Sequence, residues 1–133
     1  MWKYDSSNGH LYDPDGALVA NGYAGGDAGH DPEGINNPAM QSVHDVGPIP
    51  HGPKADGTPN CYTLLEPVNH SKLGPYAIPL LPDEDNEMFG RSGFFCHGDN
   101  FAMNRSASDG CIIAPHQIRM DMWESEDHRI EVV

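Results

Sequence analysis

Positive charge is what this chain has least of. Seven lysines and arginines face 20 aspartates and glutamates, a formal net charge of −13 in 133 residues. Such a surface repels nucleic-acid phosphates and anionic membranes, so neither is expected as a partner. The charge reads either as a solubility device or as an acidic face for a basic partner such as an inhibitor. Long apolar runs are missing as well, which excludes a membrane-spanning helix. The opening residues, Met1-Trp2-Lys3-Tyr4-Asp5, have neither the basic start nor the apolar stretch of a signal peptide. The expectation is a protein made in the cytoplasm that reaches any outside site of action by a specialised route. Hydrophobic residues make up only 38% of the chain, whereas 15 Gly and 12 Pro provide turns, a balance that disfavours a helical bundle. The length suits one domain, residues 1–133, with a loop-rich, mainly β fold. Repeats and heptads are absent.

What is present begins with strands. Trp2-Lys3-Tyr4 and His10-Leu11-Tyr12 flank the turn-forming Asn8-Gly9, and Pro14-Asp15-Gly16 precedes Ala17-Leu18-Val19-Ala20, which together predict a β-meander. Residues 22–37, rich in Gly, Asp and Asn, are expected to form a surface loop, followed by one helical turn over 39–43. Gly47 to Gly52 is extended and ruled by prolines. Cys61–Leu65 and Tyr76–Leu81 read as strands, with Pro79 expected at an edge or bulge. Pro82 to Glu87 reads as a solvated acidic loop, without the ordered spacing of a calcium loop. Pro115 to Trp123 is the one clear helix, with Ile118 and Met122 at helical spacing for packing on the sheet. His128 to Val133 alternates like a closing strand.

The chemistry concentrates in Phe94-Phe95-Cys96-His97-Gly98-Asp99 and Ser106-Ala107-Ser108-Asp109-Gly110-Cys111-Ile112-Ile113. Each is a short apolar, β-prone run meeting a reactive side chain beside glycine, which admits close approach by a substrate or another backbone. Cys111 is the candidate nucleophile and His97 its base: an imidazole that takes the thiol proton and stays imidazolium makes a thiolate available. Backbone N–H groups around Gly110 and Cys111 are candidate oxyanion donors. Ser108 either orients the imidazole or shapes the turn. Alternation along the strand turns Cys96 away from the face of His97. With Cys111 so used, Cys61 and Cys96 are either free thiols or a disulfide formed after export.

The pattern His97-Gly98-Asp99 followed by Ser108-x-Gly110-Cys111 resembles the active-site signature of L,D-transpeptidases, and more narrowly the chain is similar to the L,D-transpeptidase-like effectors delivered by type VI secretion. The likeness extends in order through Gly22-Tyr23-Ala24-Gly25, Asn36-Asn37-Pro38, Gly47-Pro48-Ile49-Pro50-His51-Gly52, Gly74-Pro75-Tyr76-Ala77 and Met88-Phe89-Gly90-Arg91-Ser92-Gly93-Phe94. It departs at Asp109, where the family usually has His, and in residues 53–60, which lengthen a loop that can reshape the cleft. The resemblance implies a mainly β, L,D-transpeptidase-type β-sandwich with one short C-terminal helix and long loops. It implies a peptidoglycan substrate: Cys111 attacks the diaminopimelate carbonyl of a tetrapeptide stem, expels D-alanine and forms a thioester. Hydrolysis, exchange with a D-amino acid, or cross-linking follows.

The resemblance also places Arg91 near the cleft, as a carboxylate-binding residue or a structural salt bridge. Gly98, Asp99, Gly110 and Tyr23 join the expected substrate-binding set, with a loop-bracing role for Asp99 and a packing role for Tyr23 as the alternatives. Implied partners are stem peptides, secretion machinery and a cognate immunity protein, with action in a competitor's periplasm; a housekeeping or phage-encoded wall enzyme fits the same residues. No cofactor is expected. Two rival readings stand beside the enzyme: a metal-binding protein, in which His97, Asp99 and Cys111 converge with His51 or His116, and a catalytically silent module that binds cell wall or a secretion partner.

Overall fold

The computed structural model describes residues 1–133. Nine strands and one helix follow in the order β1 (Trp2–Asp5), β2 (His10–Tyr12), β3 (Leu18–Asn21), β4 (Asn60–Leu64), β5 (Val68–His70), β6 (Gly74–Pro82), β7 (Phe95–His97), β8 (Ile112–Ile113), α1 (His116–Glu124) and β9 (Arg129–Val132). The fold is mainly β, as the sequence implies. The meander is there: β1 pairs with β2 and β2 with β3, all antiparallel. The last strand inserts beside the first, with β9 parallel to β1 and antiparallel to β4. The full order is β3-β2-β1-β9-β4-β6-β7-β8, with β5 attached to β6.

Alternation along the strands explains the core. Trp2 and Tyr4 of β1, Tyr62 and Leu64 of β4, and Ile130 and Val132 of β9 point inward at every second position. They join Leu11, Ile78, Leu80, Cys96 and Ile112 in one cluster of 16 buried residues. Strands from opposite ends of the order thus share a core, which is the sandwich-like feature of the fold. The ends also meet directly, because Tyr23, just past β3, forms an antiparallel bridge with Ile113 of β8. The approach demands glycine at position 22: a Cβ there would lie 2.1 Å from the Ile113 carbonyl oxygen. Helix α1 covers the sheet with Met122 fully buried and Ile118 against the core, and Pro115 sits at its N-cap.

Four expectations need correcting. Residues 22–37 are not wholly a surface loop: Tyr23 to Gly26 are buried, followed by three-residue turns at Asp27–Gly29 and Pro32–Gly34. Pro79 lies inside β6, opposite Phe95 of β7, rather than at an edge. It is tolerated because its carbonyl accepts the Leu65 N–H just beyond β4, so its missing donor falls in the gap between the β4 and β5 pairings. Residues 53–60 do not shape the cleft. They pack against the acidic loop, where the Lys54 ammonium meets Asp83 at 3.2 Å and Asp85 at 2.9 Å. That loop is in turn not simply solvated, since both Asp83 oxygens accept from Arg129, at 2.6 and 2.7 Å. All three cysteines are free.

The fork from Arg129, and then the Lys54 ammonium, hold the Asp83 carboxyl below the usual carboxylate range. A depressed carboxylate stabilises the fold above its unfolded pKa, and that contribution disappears as pH falls through the folded value. Asp83→Asn should therefore cost about 1 kcal/mol at neutral pH and progressively less as pH falls through the depressed folded value of Asp83. Thermal melts of both proteins across that range would show it, and a constant difference would refute the assignment.

Candidate active site

The parallel pairing of β7 with β8 sets Cys96 opposite Ile112 and His97 opposite Ile113. Cys111 immediately precedes β8, so the register carries it opposite Phe95, whose N–H points at the Cys111 sulfur at 3.4 Å. Residues two apart on a strand share a face, which makes His97 the diagonal neighbour of Cys111 on the face opposite the core. Cys96, between them in register, is fully buried in that core. Two adjoining cavities of about 300 and 370 Å³ meet at Cys111. His97, Gly98 and Asp99 line the first, His70, Arg91 and Phe95 the second, and Lys72, Leu73 and Asp109 belong to both.

His97 Nδ1 lies 2.9 Å from the Gly98 carbonyl oxygen. A carbonyl can only accept, so Nδ1 carries the hydrogen and Nε2 is the basic nitrogen of the neutral ring. Burial, at 3% exposure, pushes the imidazole pKa below its ordinary value, against the opposing pull of that carbonyl. Arg119 adds to the depression. Burial also raises the Cys111 thiol; the Phe95 N–H opposes that rise and Asp109 reinforces it. Both shifts favour the uncharged forms. Burial therefore works against a standing imidazolium–thiolate pair, the form in which an imidazole that takes the thiol proton would leave the two groups.

Ser108 does not reach the imidazole. Its hydroxyl donates to the Cys111 carbonyl at 2.7 Å and accepts from the N–H groups of Gly25 at 2.9 Å and Gly110 at 3.0 Å. Orientation of His97 falls to the Gly98 carbonyl, while Ser108 ties the Cys111 turn to the segment after β3. The Gly110 N–H is thereby occupied, whereas the Cys111 N–H makes no hydrogen bond to another residue. Gly110 is required for shape: φ is +142°, and a Cβ would meet the Arg91 guanidinium at 2.6 Å and Phe94 at 2.9 Å.

Arg91 is neither the free carboxylate fork nor the structural salt bridge that the resemblance left open. It is 6% exposed, and its terminal nitrogens donate to four backbone carbonyls, those of Gln41, Gly47, Pro48 and Asp109, at 2.7 to 3.2 Å. Its guanidinium also lies over the Phe94 ring, 5.1 Å from the centroid. Tyr23 and Asp99 likewise brace the wall. The Tyr23 hydroxyl donates to Asp99 at 2.6 Å and accepts from the Ala107 N–H at 3.1 Å, and the same carboxylate oxygen accepts the Asn100 N–H at 2.9 Å. Gly98 leaves room for Arg119, whose guanidinium a Cβ would meet at 3.0 Å. No three His, Cys, Asp or Glu side chains are grouped to hold a metal ion. Lys72 is the lining residue that the sequence reading passed over; a lone cation in a hairpin turn, Ser71-Lys72-Leu73, was the only signal available.

Two measurements follow from this geometry. Arg91→Met leaves four carbonyls without their donor and should cost on the order of 3 kcal/mol, seen as a large fall in melting temperature, whereas a residue kept only for substrate would leave the melt unchanged. For Cys111, the rate of alkylation by iodoacetamide, read by peptide mass, should rise with a midpoint above the ordinary thiol value of about 8.5. A midpoint well below 7 would instead reveal an ion pair.

The sequence model of the Tlde1 domain matches residues 20–133, which takes in the last two residues of β3 and every element after it, including both strands of the site. No curated protein and no solved structure gives a significant match. The family match covers most of the chain, a span that contains Cys111 and His97; the chain belongs to the Tlde1-domain family of type VI secretion L,D-transpeptidase effectors.

Proposed function

We propose that this protein is a peptidoglycan-modifying cysteine enzyme acting on the diaminopimelate–D-alanine bond of tetrapeptide stems, with Cys111 as nucleophile and His97 as base. The observation that carries the reading is the β7–β8 register, which places a thiol and an imidazole of fixed tautomer on one cavity within a Tlde1 domain. Because burial favours the uncharged form of each group, the proton moves with the attack. Cys111 Sγ bonds to the stem carbonyl carbon as its proton passes to His97 Nε2, and the Cys111 N–H receives the oxyanion. Collapse breaks the C–N bond, and His97 returns the proton to the departing D-alanine amine. A thioester remains on Cys111.

His97 next takes a proton from the acceptor. Water completes an L,D-carboxypeptidase turnover, a free D-amino acid an exchange, and the amine of a second stem a cross-link. The family supports the biological setting: an antibacterial effector carried by secretion machinery into a competitor's periplasm, neutralised in the producer by a cognate immunity protein. Removing donor stems would weaken the target wall.

The test is to incubate the protein with disaccharide-tetrapeptide muropeptides, with and without D-methionine, and follow product masses. Loss or replacement of D-alanine is expected, with Cys111→Ala inactive and His97→Gln slowed by about 10²–10⁴-fold. Failure to convert tetrapeptide or pentapeptide stems would refute the enzyme and favour a wall-binding module. The acid limb of kcat/KM should fall below about 6.5, the ordinary histidine value, because burial depresses the pKa of His97 and the neutral ring is the active form. A limb above that value would contradict the assigned base.

A further inference from the structure

The seven cations of this chain are not equally free to meet a ligand. Arg91 and Arg119 are buried and bonded to backbone carbonyls. Lys54 and Arg129 are paired with Asp83. Lys3 and Arg105 lie over the rings of Tyr12 and Tyr23. Lys72 is exposed and takes part in none of the structure's ion pairs or ring contacts. It stands on both cavities that meet at Cys111, and on a third of about 600 Å³ that continues past Gly98.

The backbone that carries Lys72 is fixed. His70 Nδ1 accepts the N–H groups of Lys72 at 3.1 Å and Leu73 at 3.0 Å, closing the β5–β6 turn. The same imidazole packs edge-on against Phe95, 5.4 Å between centroids, and Phe95 is the residue whose N–H meets the Cys111 sulfur. A short chain of contacts therefore fixes the lysine's Cα relative to the nucleophile. The four-carbon stem then lets a point charge reach into either cavity. The other charges on these two cavities are Asp45, Asp99, Asp109 and Arg91, whose terminal nitrogens are held by backbone carbonyls, so without Lys72 the acidic groups outnumber the cation and disfavour a carboxylate.

We propose that Lys72 is the specificity residue for a free carboxylate: its ammonium pairs with the terminal carboxylate of the amino acid whose amide nitrogen leaves Cys111. The carboxylate and the nitrogen belong to one residue, so the pair sets the scissile bond at the end of a peptide. The cleft then acts on chain ends rather than on internal bonds. The same contact serves an incoming free amino acid, which presents an amine and a carboxylate in the same relation. This inference rests on the stem-peptide reading above, and its test separates the two.

Cys111 alkylation supplies an arm that needs no peptide. Iodoacetate and iodoacetamide differ in charge, and peptide mass resolves Cys111 from Cys61. The ratio of their rate constants at Cys111 should fall about fivefold to tenfold in Lys72→Met, the scale of one ordinary net hydrogen bond for a contact still open to water, and recover in Lys72→Arg. An unchanged ratio overturns the proposal. The second arm compares tetrapeptide stems ending in carboxylate or amide. Wild type should prefer the carboxylate by about tenfold, through KM rather than kcat, and Lys72→Met should lose that preference. Equal preference in both proteins also overturns it. A ratio that falls while wild type converts no stem at all leaves Lys72 as the carboxylate-binding residue and removes the proposed substrate instead.

Discussion

One buried cation holds this site together. The Arg91 guanidinium donates to carbonyls on both sides of the Gly47-Pro48 step and to Asp109, two residues before Cys111. A charge removed from water is tolerated only when its donors are satisfied, and here the acceptors come from segments without regular strand structure of their own. The prolines that give residues 47–52 their extended course thus do more than stiffen it. They present carbonyls at fixed positions, and Arg91 gathers them against the Cys111 turn. Gly110 belongs to the same construction, because any larger residue would displace the guanidinium.

Ser108 repeats that logic from the other side of the turn. Its hydroxyl joins Gly25, Gly110 and the Cys111 carbonyl, so the Cys111 loop is held by side chains bonded to backbone rather than by a strand ladder. The strand that follows is only two residues long. Preorganisation here comes from polar side chains reading carbonyls and amides, which explains why so little regular structure carries so many placed groups.

Much of the fold was legible because alternation and turn chemistry are local. The meander, β4, β6, the helix at 116–124 and the closing strand all follow from periodicity, Asn-Gly and Pro-Asp-Gly turns, and a proline at a helix start. The convergence of His97 and Cys111 was legible through the spacing of two glycine-flanked runs, helped by resemblance to a family. What was not legible depends on tertiary partners. Nothing in Gly90-Arg91-Ser92 tells whether the guanidinium meets a substrate or four carbonyls from elsewhere. The effect of burial on Cys111 and His97, which favours the uncharged form of each, is hidden for the same reason, since it comes from tertiary packing and not from residue identity. Lys72 was missed because a lone lysine in a turn is usually only solvated.

The parallel pairing of β1 with β9 has a mechanical side. Trp2, Lys3 and Tyr4 run alongside Ile130, Glu131 and Val132 in the same direction. Force applied at residues 1 and 133 pulls these two strands past each other lengthwise, so their slanted hydrogen bonds are loaded together instead of opening one after another. Flanked by β2 on one side and β4 on the other, the pair cannot slide without disturbing the sheet on both. Under such a load the fold would resist in two strands of the sheet's interior, away from both of its edges.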